Sequence, residues 1–372
     1  MAVRYLVEEL RKAYPGKKFV ISTVTVTGNK IAQAIAKQGD LVTYLPLDLS
    51  FIVRSVIDRL TPSLFVIAET EIWPNLISYL YRKNIPVVTV NGRVSNASFR
   101  GYLIIKFLLK SILEKVSLFC VQTERDADRL MRLGVSKDKI KITGNMKFDI
   151  KDYTDFKKTC LPAGRDYTDY RSKLGLDSKD KLWVAGSTHA GEEEIILNVY
   201  KELQMDFPDL KLLIAPRHPE RSKDIGETVS RFGFNSVFVS TLPHKCSTCI
   251  PKSVFILDTI GELISFYAIA DIVFVGGSLI KKGGHNILEP ASRALPVLFG
   301  PHMFNFGDIA DLFLRNKAAI MVNNKEELKT NITYLLNNPD RIIELGKHAK
   351  QVILQNQGAT RRNVEYIKNY GN

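Results

Sequence analysis

The chain has 372 residues, 45% of them apolar, and a formal charge of +13 from 52 basic against 39 acidic side chains. That length calls for about two domains, and no run approaches the roughly 20 apolar residues of a membrane span or carries a signal-peptide pattern. The basic balance suits nucleic acid, an anionic membrane surface or phosphorylated substrates, and four cysteines are too few for a disulfide framework, which points to a reducing compartment.

Val3, Leu6, Val7, Leu10 and Tyr14 recur at helical spacing, so the chain opens inside a helix. Every other early helix follows a strand. A strand and loop are therefore expected ahead of this one, and the sequence reads as truncated at its N-terminus. Apolar runs follow in "KFVIST", "LVTYLP", "LFVIAE", "PVVTVN", "LFCVQ" and "IKITGN". Helical segments separate them, for example Phe99, Leu103, Phe107, Leu108 and Ile112. Strands alternating with helices predict a parallel sheet covered on both faces.

In "VIAETEIWPNLI" a strand runs straight into a helix with Pro74 in its first turn, which leaves Glu69 and Glu71 at the carboxyl end of the sheet. Two roles fit them: capping the helix that begins at Pro74, or chemistry at the mouth of the sheet. "GNMKFD" ends the last strand of this half and brings Lys147 to the same end of the sheet as Glu69. A lone lysine is usually solvated, but there it can hold a negative substrate. "RGYLIIKFLLKSILEK", 100–115, suits either a helix lying on an anionic membrane or an ordinary buried helix of the sheet.

Residues 151–180 are polar and broken by Pro162 and Gly164, and read as a linker. The strand pattern restarts with "KLWVAGS", "KLLIAPR", "SVFVS", "SVFILD", "DIVFVGG", "PVLFG" and "AIMVN", and a helical stretch from Pro339 to Tyr370 closes the chain. The expected organisation is an α/β doubly wound domain over 1–150, the linker 151–180, a second doubly wound domain over 181–345 and a C-terminal helix over 346–372. Ligands are expected at strand carboxyl ends facing a cleft between the two.

"FVGGSLIKKGGHNILEPA", 274–291, is the most informative loop. A buried strand ends in Gly276-Gly277-Ser278, and Gly283-Gly284 precede His285 and a helix starting near Ile287, with Asn286 as N-cap and Glu289 in the first turn. Glycines let backbone N–H groups close on an anion, and a helix start adds a positive dipole. Glu289 would oppose a phosphate there and suits ribose hydroxyls instead. In "LIAPRHPER", Arg217 and His218 follow a strand, and the planar guanidinium fits a phosphate or carboxylate, unless it is a solvated rim arginine. In "AGSTHAGEEE", Ser187, Thr188 and His189 are expected to cap a helix rich in early carboxylates, with His189 ambiguous. Gly261 and Glu262 open a further helix in "LDTIGELISFYAIAD". Cys246 and Cys249 form a C-x-x-C near His244, but no second pair completes a zinc site, so a surface loop is expected.

Together "AETEIWPN", "GNMKFD", "GSTHAGEE", "APRHPER", "DTIGELISFYAIADIVFVGGSL" and "GGHNILEP", in that order, resemble the 3-deoxy-D-manno-octulosonic acid (Kdo) transferases of Gram-negative bacteria, from residue 2 to about residue 340. The resemblance implies the GT-B glycosyltransferase fold, two Rossmann-like domains, the first for the acceptor and the second for the CMP-sugar. It implies metal-independent, inverting transfer of Kdo from CMP-Kdo, as substrate rather than cofactor, to the lipid A precursor in lipopolysaccharide assembly. It places the enzyme at the cytoplasmic face of the inner membrane, peripheral in this chain. Carried over position by position, it puts CMP on Pro216 and Arg217, on Ile260, Gly261 and Glu262, and on Asn286, Ile287, Leu288 and Glu289. Glu69 and Lys147 fall where the family assists the transition state.

In one respect the sequence departs from the pattern. The family begins with a hydrophobic anchor, a strand and a "SVGE"-like loop carrying the general-base glutamate, whereas this sequence begins with the helix after it. Glu8 and Glu9 lie too far along that helix to replace the base, and its loss forfeits a factor of about 10²–10⁴, so impaired activity is expected of the chain as numbered. The alternatives are another GT-B nucleotide-sugar enzyme, such as a UDP-sugar epimerase, or a non-catalytic nucleotide-sugar or lipid-surface binding protein. Nucleic acid is disfavoured, because the basic residues are dispersed without an aromatic platform.

Overall fold

Every apolar run picked out above forms a strand in the computed structural model, which describes residues 2–149, 168–243 and 251–371. The chain divides into two units, Met1–Asp149 with Asn356–Asn372, and Ile150–Gln355. The C-x-x-C of Cys246 and Cys249, with His244, lies outside the described residues. No described helix is long and apolar enough to cross a membrane.

In the first unit the strands are β1 (Val20–Thr23), β2 (Leu41–Tyr44), β3 (Phe65–Ala68), β4 (Val87–Gly92), β5 (Leu118–Val121) and β6 (Ile140–Ile142). They make two parallel sheets: β1 with β2, and β3-β4-β5-β6 in sequence order. β4 and β5 are buried along their whole length, as expected of parallel strands covered on both faces. β1 and β2 are not: Val20, Leu41 and Tyr44 are exposed, and Ile21 alone carries that small core with Val7 and Ala32.

The first helix, Ala2–Ala13, serves both sheets. Its Val7 packs with Ile21, while Leu6 and Leu10 cover Val88, Val90, Leu118 and Cys120 beside the last helix, Ala359–Ile367. The closing helical stretch is thus two helices, Pro339–Asn356 and Ala359–Ile367, separated by Gly358 at φ 91°. The second of them returns to the first unit. Asp149 accepts hydrogen bonds from the N–H groups of Gly358 and Thr360, and Arg362 Nε donates to Thr143 O at 2.8 Å.

The single helical stripe read from Phe99 to Ile112 is also divided, into Asn96–Ile104 and Lys106–Leu113, with Ile105 at the break. The break turns the stripe away from the core: Leu109 and Leu113 are buried, whereas Ile104 and Phe107 are 86% and 92% exposed.

The second unit holds β7 (Lys181–Thr188), β8 (Leu210–Pro216), β9 (Asn235–Phe238), β10 (Ser253–Ile256), β11 (Ile272–Val275), β12 (Val297–Phe299) and β13 (Ile320–Met321). All pair in parallel, in the order β13-β12-β11-β7-β8-β10-β9. Trp183, Leu212, Ile214, Val254 and Phe274 fill one face of the sheet against the helix Glu192–Asp206, and the intervening Leu182, Val184, Leu213 and Val273 are equally buried. Both faces are therefore covered, which is the doubly wound arrangement. The described part of 151–180 is not a bare tether: Thr168–Leu174 is helical, and Tyr170 is buried with its ring edge-on to Phe266.

Candidate functional site

Strand order reverses at β7, which has β8 on one side and β11 on the other. Open parallel sheets take ligands outside the strand carboxyl ends at such a point. Two loops meet there, Ser187-Thr188-His189 and Gly276-Gly277-Ser278. Ser187 and Gly277 are both left-handed, at φ 58° and 68°, a conformation that costs the serine of order 1 kcal/mol and tends to be kept at functional positions.

The anion site expected of the glycine loop is filled by the chain itself. The fully buried Glu192 carboxylate accepts the N–H groups of Gly277 at 2.7 Å and of Ser278, Leu279 and His189 at 3.0 Å. Burial pushes its pKa up, and the four N–H groups pull it back down. Nor do the hydroxyls cap the following helix, as the sequence had suggested. Its N-cap is Gly191, Ser187 and Thr188 belong to the strand, and Thr188 Oγ1 is buried without a hydrogen-bond partner. Glu193, next in the helix, pairs instead with Arg221 at 2.9 Å.

Around this centre stand the predicted nucleotide residues. Pro216 ends β8 in the core, and the exposed Arg217 is fixed by its N–H to Thr188 O at 2.9 Å. Two short helices, Leu263–Tyr267 and Leu288–Ser292, pack against each other and begin at the predicted 260–262 and 286–289 segments. Ile260 is exposed beside Gly261 at φ 90°, and Glu262 accepts the Tyr170 hydroxyl at 3.2 Å and the Thr259 hydroxyl. Ile287, rather than Asn286, takes the N-cap position of its helix, although Asn286 Oδ1 still accepts Leu288 N at 3.1 Å. Asn286 Nδ2 donates to Glu289 Oε1 at 3.0 Å. Burial pushes the Glu289 carboxyl up, while Asn286 and Arg217 act against that rise, so Arg217 and Glu289 are within electrostatic reach of each other. Ile287 and Leu288 are wholly buried, backbone as well as side chain.

Three histidines complete this end of the sheet. His189 Nε2 and His285 Nε2 are 2.8 Å apart with their rings parallel, and His218 stands edge-on to His189.

In the first unit Glu69 is left-handed at φ 66°, with its N–H on Val90 O at 2.8 Å and its carboxylate exposed. That carboxylate has no ion-pair or hydrogen-bond partner among the described residues. Capping of the helix Pro74–Arg82 belongs to neither Glu69 nor Glu71, which corrects that reading. Asp48 does it from the loop after β2, accepting Asn75 N at 3.0 Å and Leu76 N at 2.8 Å, while Glu71 binds the Trp73 indole N–H at 3.1 Å.

Lys147 lies in a single 3-10 turn, Met146–Phe148. The N–H of Met146 binds Asn91 Oδ1 at 3.0 Å, and Asn91 is buried at φ 53° where β4 bulges against β5. Although β3 and β6 are opposite edges of their sheet, Glu69 and the Lys147 turn thereby hang from adjacent residues of β4, Val90 and Asn91. Sequence reasoning missed Asn91 and Asp48. The signal for Asn91 was an Asn-Gly pair at the end of a buried strand, where a bulge is common.

A family model described as 3-deoxy-D-manno-octulosonic-acid transferase (kdotransferase) matches residues 1–150. The chain is 35% identical to the 3-deoxy-D-manno-octulosonic acid transferase of Haemophilus influenzae, over all of its own length and 84% of that protein. It is 38% identical, over 84% of its length, to a bifunctional glycosyltransferase/methyltransferase of Fusobacterium nucleatum subsp. nucleatum, of which it spans 47%. The UDP-GlcNAc 2-epimerase of Neisseria meningitidis bound to UDP-GlcNAc superposes with a TM-score of 0.67 at 14% identity, covering 98% of this chain and 95% of that one, which is a likeness of fold.

The capping assignment separates the acids by experiment. Asp48→Ala should lower the unfolding free energy by about 1 kcal/mol, read by thermal or denaturant melting, while Glu69→Ala leaves the melting curve in place. A Glu69 variant as destabilised as the Asp48 variant would return the cap to Glu69.

Proposed function

The chain belongs to the 3-deoxy-D-manno-octulosonic acid transferase family, and on that premise we propose that this glycosyltransferase moves Kdo from CMP-Kdo to the lipid A precursor, lipid IVA. The transfer is inverting and needs no metal, and it takes place at the cytoplasmic face of the inner membrane. The observation that carries the donor assignment is the half-buried Glu289, held by Asn286 Nδ2 at 3.0 Å with Arg217 within electrostatic reach, at the carboxyl end of the second unit's sheet. A carboxylate that burial disfavours as an anion is stabilised by O–H donors, and a ribose diol supplies two. The guanidinium offers paired N–H groups to a phosphate. Glu262 and Ile260, beside the left-handed Gly261, complete the nucleotide's surroundings.

Glu69 and Lys147 are assigned to the transfer step. The acceptor hydroxyl gives up its proton to a general base as its oxygen attacks the anomeric carbon, the bond from that carbon to the phosphate oxygen breaks, and its electron pair leaves with CMP. Lys147 offsets the negative charge of the donor, and Glu69 acts where positive charge develops on the sugar. The left-handed backbone at Glu69 supports this, since such strain is kept where a side chain must be aimed.

Membrane association is assigned to the 100–115 segment. Ile104, Phe107 and Leu108 project into solvent there among the exposed Arg100, Lys106 and Lys110. Such a surface gains both from apolar insertion and from roughly 1 kcal/mol per basic residue near anionic lipid.

Three measurements test these assignments. Glu289→Ala should weaken CMP binding by about 1.5–3 kcal/mol in calorimetry; unchanged affinity removes Glu289 from the site. Glu69→Ala should lower the transfer rate with CMP affinity unchanged, the pattern of an interaction made only in the transition state, and full turnover in that variant would end its catalytic role. On flotation with anionic vesicles the chain should rise with the lipid at low salt and be released at high salt. Retention at high salt would contradict the electrostatic part.

A further inference from the structure

With the N–H groups of Gly277, Ser278 and Leu279 taken by Glu192, an anion arriving at the β7–β11 crevice must find other donors. The imidazoles are placed for this. His285, His189 and His218 lie in the loops that follow β11, β7 and β8, which are consecutive neighbours in the sheet. Two Nε2 atoms 2.8 Å apart hold one hydrogen between them, so one ring donates and the other accepts, and burial favours the uncharged form of both rings. The rings lie parallel within 6°, and Gly277 makes room for both: a Cβ there would come within 2.9 Å of His285 Cδ2 and 3.4 Å of His189 Cδ2.

The charges that act on the pair are mostly positive. Lys282 and Arg221 act on His189, and Arg217 on His285. The carboxylate that acts against them, Glu193, is engaged by Arg221, and the neighbouring Glu192 by four backbone N–H groups. Burial, with these cations, pushes His285 down to about 4 and His189 down as well. An anion placed beside them reverses the sign of that field.

We infer that His189 and His285 are a phosphate clamp that takes one proton from solvent as the nucleotide's phosphate enters. The second proton makes both Nε2 atoms donors, which ends the bond between them and frees both for phosphate oxygens. In the transfer step the phosphodiester becomes a monoester with one more negative charge, and the proton on the pair offsets it. No bond to the imidazoles forms, and the proton returns to solvent when CMP leaves. The inference rests on CMP as the bound nucleotide.

Calorimetry of CMP at about pH 7.5, where a phosphomonoester is already a dianion, tests it in two buffers of different ionisation enthalpy. The expected result is uptake of about one proton per CMP bound, lost in His285→Gln and absent with cytidine. CMP binding without uptake, or uptake equal in His285→Gln or with cytidine, overturns the clamp and leaves the nucleotide assignment standing. No CMP binding at all overturns both. If the variant does not fold, nitrogen spectra of ¹⁵N-histidine in the unsubstituted protein read the same proton. The accepting Nε2 should become protonated when CMP is added, and an unchanged spectrum overturns the clamp.

Discussion

The Glu192 carboxylate joins the loop at His189 to the loop that begins 85 residues beyond Glu192 at Gly277, by accepting four backbone N–H groups from them, with no solvent reaching it. Each of those donors, left unpaired in the interior, would cost about 1–3 kcal/mol. An ionised side chain is itself costly to bury, and the four donors make it tolerable. This contact fixes how the β7 and β11 loops meet at the reversal of the sheet. The edge-to-edge contact of His189 with His285 beside Gly277 depends on it. So does the chemistry open to a ligand, since a phosphate cannot use a cradle that already holds a carboxylate and must be recognised by side chains.

The first unit is organised differently. The positions proposed for the transfer step are fixed by ties to β4: Glu69 through Val90, and the Lys147 turn through Asn91. Both Glu69 and Asn91 adopt left-handed backbone, and Asn91 does so at a bulge. Backbone strain spent in this way aims side chains rather than stabilising the sheet. The helix Pro74–Arg82 takes its cap from Asp48, which leaves Glu69 exposed and uncommitted.

The strands were legible because buried parallel strands are continuous apolar runs, and "LWVAGS" or "IVFV" admits little else. The residues proposed for the nucleotide could be nominated where backbone and chemistry coincide, as at Gly261 with Glu262 and at Asn286 with Glu289. Long-range partners were not. Nothing local marks Asp48 as the cap of a helix 27 residues on, or Glu192 rather than a ligand as the anion of the glycine loop. The separation of β1 and β2 from the main sheet was hidden for a related reason, since pairing depends on what covers each face. The 99–112 stripe misled because Ile105 breaks the helix, and a broken helix no longer keeps one face toward the core.

A crystal structure of the chain with CMP tests the account most directly. The account predicts the ribose on Glu289, the phosphate between Arg217 and the His189–His285 pair outside the ends of β7 and β11, and the Glu192 contacts unchanged. A phosphate seated on the N–H groups of Gly277 and Ser278 with Glu192 displaced, or a nucleotide bound away from Arg217 and Glu289, would contradict it.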